Sequence, residues 1–159
     1  MGFGPQDAKV KFGDPTAGVT IGSDCIFREG STVHAASNDH TPTSVGDRAF
    51  FMVNTHIGHD VTLGNDVILV VNAGVGGHAT IQDRVILSGG TMIHQFGRVG
   101  KLAMTSGGVM LSNDLPPYFM AVERNTVVGI NRVGMRRAGM TREDIAAVKG
   151  VYSDVFRTN

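Results

Sequence analysis

The chain is 159 residues long, which suits one domain with a core of its own. Lys plus Arg and Asp plus Glu balance at 14 each, so no overall field gathers nucleic acid or an anionic membrane surface, although local anion sites stay open. The single cysteine, Cys25, supports no internal disulfide and is expected as a packed thiol, and 22 glycines without any tryptophan fit many tight turns around a narrow interior.

Residues 1–16 carry no repeat and are expected to form an N-terminal loop. Their first nine residues lack the apolar stretch of a secretory signal, and the apolar run 67–71 is too short to span a bilayer. A cytoplasmic protein without stable membrane insertion is the expectation. From Ile21 to Leu111 a large residue recurs every six positions, as in Phe51, Ile57, Leu63, Leu69, Val75, Ile81, Leu87 and Ile93. A stripe of smaller residues runs four positions behind each of these, as in Thr55, Val61, Val67, Ala73, Ala79 and Val85. Hexapeptide periodicity marks a parallel β-helix, and three hexads make the smallest closed coil, about eighteen residues around. Both stripes then point inward, and the coils stack about 4.7–4.9 Å apart. The expected fold class is therefore an all-β solenoid over 17–115.

Asp39 and Thr105 are the exceptions in the large stripe. Asp39 lies in a polar stretch with Asn38 and Pro42, which predicts a loop insertion over 36–44, after which the coil resumes in frame. Pro116 and Pro117 end the strand pairing. Residues 118–130 are expected as an extended return segment, so that 116–159 forms a return strand followed by C-terminal helices at 131–138 and 142–156. Thr141 and Asp144 predict a capping box, and Ile145, Val148, Tyr152 and Val155 an apolar helix face.

The coil length turns the sequence into a ruler. The hexads starting at Ile57, Val75 and Ile93 stack on one face, which brings His59, His78 and His94 to neighbouring coils with His56 just before them. None of these histidines sits on an inward stripe. Asp60 adjoins His59, and a carboxylate beside an imidazole orients it and favours its charged form. A base near neutrality suits proton removal from a hydroxyl. Zinc bound by three histidines is the competing chemistry. The spacing of His56, His59, His78 and His94 does not match the close His pair plus distant His of the γ-class carbonic anhydrases, and no metal and no cofactor are expected.

Around these residues lie 54–60 (Asn-Thr-His-Ile-Gly-His-Asp), 72–78 (Asn-Ala-Gly-Val-Gly-Gly-His), 93–96 (Ile-His-Gln-Phe), 114–118 (Asp-Leu-Pro-Pro-Tyr) and 129–137 (Gly-Ile-Asn-Arg-Val-Gly-Met-Arg-Arg). In order and spacing they resemble the acyl-carrier-protein-dependent UDP-N-acetylglucosamine O-acyltransferases that open lipid A synthesis. Residues 6–9 (Gln-Asp-Ala-Lys) ahead of 13–16 match a further family segment. The resemblance implies a left-handed β-helix, an exception to the right-handed crossover rule, built as a homotrimer with active sites between subunits.

Carried onto this chain, the resemblance makes His59 the general base, Asp60 its orienting partner and the Gly77 N–H the oxyanion donor. His56, His78 and Gln95 would hold the sugar nucleotide or acyl group, with His94 beside them. Asp7 and Lys9 would meet the sugar and phosphate end. Asn131 and Arg137 would bind the donor or the uridine-diphosphate region, and Gly107 would leave room for a longer acyl chain. The implied partners are an acyl-carrier protein and a UDP-amino sugar, whose acceptor group as hydroxyl or amine stays open.

The chain departs from the family in three ways. It starts several coils later, its helical tail is shorter, and it has His34-Ala35-Ala36 where relatives have His-Arg-Gly. The alternatives are a shortened relative acting on another nucleotide sugar or acyl donor, and a non-catalytic trimeric β-helix that binds a sugar nucleotide.

Overall fold

A computed structural model describes residues 1–156. The chain winds into a left-handed parallel β-helix with three short strands per coil. The strands follow in order: β1 (Val19–Ile21), β2 (Ile26–Phe27) and β3 (Thr32–Val33); β4 (Thr43–Val45), β5 (Phe50–Phe51) and β6 (His56–Ile57); β7 (Thr62–Leu63), β8 (Ile68–Leu69) and β9 (Gly74–Val75). Then come β10 (Thr80–Ile81), β11 (Ile86–Leu87) and β12 (Met92–Ile93), and β13 (Arg98–Val99), β14 (Met104–Thr105) and β15 (Met110–Leu111). Every third strand stacks in register, giving one sheet from β1, β4, β7, β10 and β13, a second running through β2, β5, β8, β11 and β14, and a third from β3, β6, β9, β12 and β15.

Between β4 and β7 the offset is eighteen residues (Ser44 opposite Thr62), and between β1 and β4 it is twenty-four (Val19 opposite Thr43). The six-residue excess is the loop, which leaves and re-enters the rod at one corner. Thr43 and Ser44, expected in that loop, belong to β4 instead. The Thr43 amide donates to the Gly18 carbonyl at 3.2 Å, and its buried hydroxyl accepts from the Asp60 amide at 2.8 Å, which ties this residue to the coils on both sides.

The inward stripes form one continuous core, with Phe51, Ile57, Leu69, Ile81 and Leu87 at 1% exposure or less. The hexads interlock there because each short strand supplies a single large inward side chain. Thr105 is fully buried in place of a large apolar residue. Its hydroxyl accepts from the Ser88 amide at 3.0 Å and pairs with the Thr91 hydroxyl at 2.8 Å, so the polar group is satisfied within the core. Ile21 is 39% exposed because β1 is the outermost strand of its sheet, and Cys25 is half-buried, its thiol donating to the Gly46 carbonyl.

Each corner is a tight turn with one residue in the left-handed region. Side chains other than glycine occupy many of these positions, among them Arg48, Asp60, Asp66, His78, Arg84 and Phe96 at φ 54–65°. The N-terminal loop pairs with the rod through Phe3, whose carbonyl accepts from the Ala35 amide. Beyond β15 the expected return segment folds back on itself: β16 (Phe119–Val122) runs parallel to β14, and β17 (Thr126–Ile130) turns antiparallel against it.

Helix α1 (Arg132–Arg137) and helix α2 (Arg142–Phe156) follow. The Thr141 hydroxyl and the Asp144 carboxylate accept from each other's amide at 3.1 Å, the reciprocal capping box. Tyr152 packs on Phe119 beneath α2, while Val155 turns outward at 63% exposure. Among the described residues no helix is long and apolar enough to cross a membrane.

Candidate active site at the third corner

The turns that follow the third sheet bring His59, Gly77 and Gln95 to one position on successive coils, and Asp60, His78 and Phe96 to the next. Asp60 is the anchor. Its carboxylate accepts from the Ser37 amide at 3.0 Å, from the Asn38 side-chain amide at 2.8 Å and from the His59 imidazole at 2.7 Å. The polar loop that interrupts the hexad pattern therefore wraps this carboxylate and leaves its side chain 7% exposed. Burial opposes the charge of Asp60, yet the hydrogen bonds from Ser37 and His59 and the nearby His78 hold its carboxyl below the usual carboxylate range.

An ionised Asp60 can only accept, so His59 donates from Nδ1 and keeps a free lone pair on Nε2. That nitrogen lies over Gly77. A Cβ built on Gly77 would sit 2.8 Å from His59 Nε2 and equally close to Cε1, so only glycine admits the ring there. Among the described residues the Gly77 N–H has no acceptor. A lone pair and an unpaired donor thus meet at one spot, which suits removal of a proton and stabilisation of an oxyanion on neighbouring atoms.

His78 borders both groups. Its Nε2 is 3.6 Å from the Asp60 carboxylate, its ring stands edge-on to His59 at 5.0 Å, and its other side stacks flat on Phe96 at 4.7 Å. His56 projects outward from β6, with Nδ1 2.8 Å from the Thr32 hydroxyl. Burial, with the neighbouring His34 and His59, pushes the His56 imidazole below its ordinary value. His94 and Gln95 are exposed, and His94 Nδ1 lies 3.0 Å from the Gln95 carbonyl oxygen.

The remaining expected site residues lie elsewhere on this chain. Gly107 is in an exposed turn after the second sheet, a different corner of the prism. Asn131 is 5% exposed and caps α1: its oxygen accepts from the Gly134 amide and its nitrogen donates to the Leu102 carbonyl, both at 2.9 Å. Its polar atoms are committed to placing α1, and Arg137 at the end of that helix is exposed. Asp7 and Lys9 follow the Phe3 pairing in the N-terminal loop, where the Asp7 carboxylate accepts from the Lys9 amide at 2.9 Å. Among the described residues none of these hydrogen-bonds to His59: Gly107 and Asn131 belong to other corners of the rod, and Asp7 and Lys9 to the N-terminal loop.

Reading by hexads missed Ser37, Asn38 and Thr43, which hold Asp60, and Phe96, which holds His78. It also missed His34, 8% exposed and 5.0 Å from His56, ring centre to ring centre. Counting by twenty-four across the loop would have found it, since Thr32 pairs with His56 over that distance.

Comparison with known proteins gives one consistent family. The second-domain model of the UDP N-acetylglucosamine O-acyltransferases matches residues 114–159. An acyl-[acyl-carrier-protein]–UDP-N-acetylglucosamine O-acyltransferase of Bartonella henselae is 48% identical over 98% of this chain and 57% of its own length. One from an Anaeromyxobacter species is 38% identical over 100% of this chain and 62% of its own. The UDP-N-acetylglucosamine acyltransferase of Francisella novicida superposes with a TM-score of 0.91 at 39% identity, covering 96% of this chain and 56% of that one. The Arabidopsis enzyme superposes with a TM-score of 0.94 at 31% identity, covering 99% of this chain and 55% of that one. The chain spans 57–62% of the length of those two sequence relatives. Along nearly its whole length the chain thus matches part of the acyl-[acyl-carrier-protein]–UDP-N-acetylglucosamine O-acyltransferase family.

Proposed function

We propose that the chain transfers a 3-hydroxyacyl group from an acyl-carrier protein to the 3-hydroxyl of UDP-N-acetylglucosamine, in the lipid A pathway and in the cytoplasm. The observation that carries this reading is the free Nε2 of His59 held over the unpaired Gly77 N–H by a buried, ionised Asp60. His59 Nε2 takes the proton of the sugar hydroxyl as that oxygen attacks the thioester carbonyl. Asp60 stabilises the imidazolium that forms. The carbonyl oxygen becomes an oxyanion and accepts from Gly77 N–H, a bond stronger in the transition state than in the ground state. Collapse expels the carrier thiolate, which recovers the proton from His59, so the cycle closes with base and protein unchanged.

His56, His78, Gln95 and His94 border the reacting atoms and bind the sugar nucleotide or acyl group. Asp7 and Lys9 take the sugar and phosphate end, Arg137 the diphosphate or the donor, and Asn131 positions α1 beneath it. Gly107, with only the Gly89 carbonyl oxygen near where a Cβ would project, leaves space for a long acyl chain.

Because these groups sit on different corners, the complete site needs neighbouring chains. A homotrimer supplies them. The outer face of the second sheet supports it: Ile26, Phe50, Ile68, Ile86 and Met104 form an outward apolar column, where the first sheet presents Thr20, Ser44, Thr62, Thr80 and Arg98. A column of that kind on a solvent face marks a surface awaiting a partner.

The test is mass spectrometry of products from UDP-N-acetylglucosamine and a panel of 3-hydroxyacyl-carrier proteins, with His59→Ala as control. A His59-dependent acyl-UDP-sugar is expected. Product from another nucleotide sugar alone, or binding without turnover, would replace this reading with one of its two alternatives. Sedimentation is expected to show three chains, dissociated by Ile68→Glu.

A further inference from the structure

The third corner also has the makings of a cation site. His59, Asp60 and His78 each offer a ligand atom, and these atoms all lie within 4.8 Å of one another. Two nitrogens and one oxygen suit a borderline transition cation such as Zn²⁺, which binds such atoms at about 2.0–2.2 Å and fills its fourth position with water. Asp60 is already fixed by Ser37 and Asn38, as a good ligand is by the residues behind it. His78 is 34% exposed and steadied on one face by Phe96, so its ring needs only a small swing to close on the ion. The eighteen-residue coil is what carries His78 to the side of the adjoining His59 and Asp60.

We infer that His59, Asp60 and His78 form a regulatory transition-metal site whose occupation switches off the base. The nitrogen facing Asp60 is His59 Nδ1, at 2.7 Å from the carboxylate. A cation seated between them takes the Nδ1 lone pair. The one proton of the neutral imidazole then relocates through solvent to Nε2, with no net proton released. Nε2 is the atom over Gly77, and once protonated it accepts nothing from a hydroxyl. The cation also neutralises the carboxylate that would have stabilised the imidazolium. Occupation therefore blocks the reaction twice, without any cavity closing. The inhibition rests on the general-base role proposed for His59, whereas the binding does not.

Calorimetry of Zn²⁺ into the chelator-stripped protein tests the binding, with Co²⁺ absorption spectra reporting the ligand set. One ion per chain is expected, at micromolar affinity or tighter, with visible Co²⁺ bands of a site with nitrogen and oxygen ligands. His78→Ala is expected to weaken binding at least tenfold, while Glu143→Ala, exposed in the first turn of α2, leaves it unchanged. Circular dichroism checks that each variant is folded. Zn²⁺ binding that survives His78→Ala, or no saturable binding at tens of micromolar, overturns the site. In the activity assay Zn²⁺ is expected to abolish turnover and chelator to restore it. Full turnover with the site saturated overturns the switch while leaving the site. A protein that binds Zn²⁺ as described but turns over no sugar nucleotide would refute the proposed acyl transfer and not the metal site.

Discussion

The first and third corners of the rod share one backbone turn and use it in opposite ways. At the first corner Asp47, Asn65 and Asp83 each reach down one coil, and their side-chain oxygens accept from the amides of Ser23, Asp47 and Asn65 at 2.7–2.8 Å. Beside them Arg48 clasps Asp66 through two hydrogen bonds at 2.7 and 2.9 Å, and Arg84 approaches the same carboxylate. At the third corner the position of Asn65 and Asp83 is taken by Gly77, which offers no side-chain oxygen to the His59 amide one coil below and admits the His59 imidazole instead. The left-handed position carries Asp60 and His78 rather than a ladder of ion pairs. One corner uses its side chains to close the turn, and the other leaves the turn open and gathers an imidazole, a buried carboxylate and a free amide.

The sharpest way to break this division is His59→Ala, which is expected to lower kcat by about 10²–10⁴. Thermal unfolding should fall only modestly, since Asp60 keeps its bonds from Ser37 and Asn38 when the ring is lost. An equal loss of stability would assign the histidine to structure. Gly77→Ala comes next. Its Cβ must displace the His59 ring, and a shift of that order costs about 10² in kcat; an unaltered rate would show that the ring is not placed by that glycine.

Asn65→Ala makes the converse experiment at the first corner. Removing the acceptor for the Asp47 amide is expected to cost about 1 kcal/mol of stability, read by urea denaturation, with kcat unchanged. Any change in rate would mean that the corners are coupled.

Two pH effects sharpen the contrast further. Asp60 is held below the usual carboxylate range, so its contribution to stability is complete above the unfolded value of about 3.9 and is lost as pH falls through its depressed folded value. Denaturation curves from pH 6 to 3 should flatten in Asp60→Asn. His56 is also depressed, by burial first and then by His34 and His59. Its stabilising effect is complete above about 6.5 and fades as pH falls below that toward its folded value. His56→Gln should remove a small downward slope in melting temperature over that window, and an unchanged slope would clear His56 of it.

Much of the rod was legible in the sequence because one inward residue per short strand leaves a period that no helix or ordinary sheet shares. Leu69 and Leu87 were placed correctly by counting alone. What counting could not see was anything that leaves the period. Asp39 announced a loop, but nothing in the stripe said that Ser37 and Asn38 would turn back to hold Asp60. Thr105 read as a flaw, since a buried hydroxyl is judged by partners that only the folded coils supply. Asn131 came forward as a ligand residue through the resemblance alone, and only the folded chain shows its side chain bonded to the Gly134 amide and the Leu102 carbonyl. The eighteen-residue step brought His59 and His78 together, but the same step applied across the loop would have misplaced His34 by a full hexad.

That loop has a consequence for how the molecule tolerates change. It departs from and returns to the same corner, so the coils above and below meet as though it were absent. Its length is therefore uncoupled from the stacking of the rod, while Ser37 and Asn38 at its start hold the Asp60 carboxylate. Segments exchanged at 37–42 are expected to retune the His59–Asp60 pair and leave the scaffold standing, so that reactivity can drift there without a matching cost in folding.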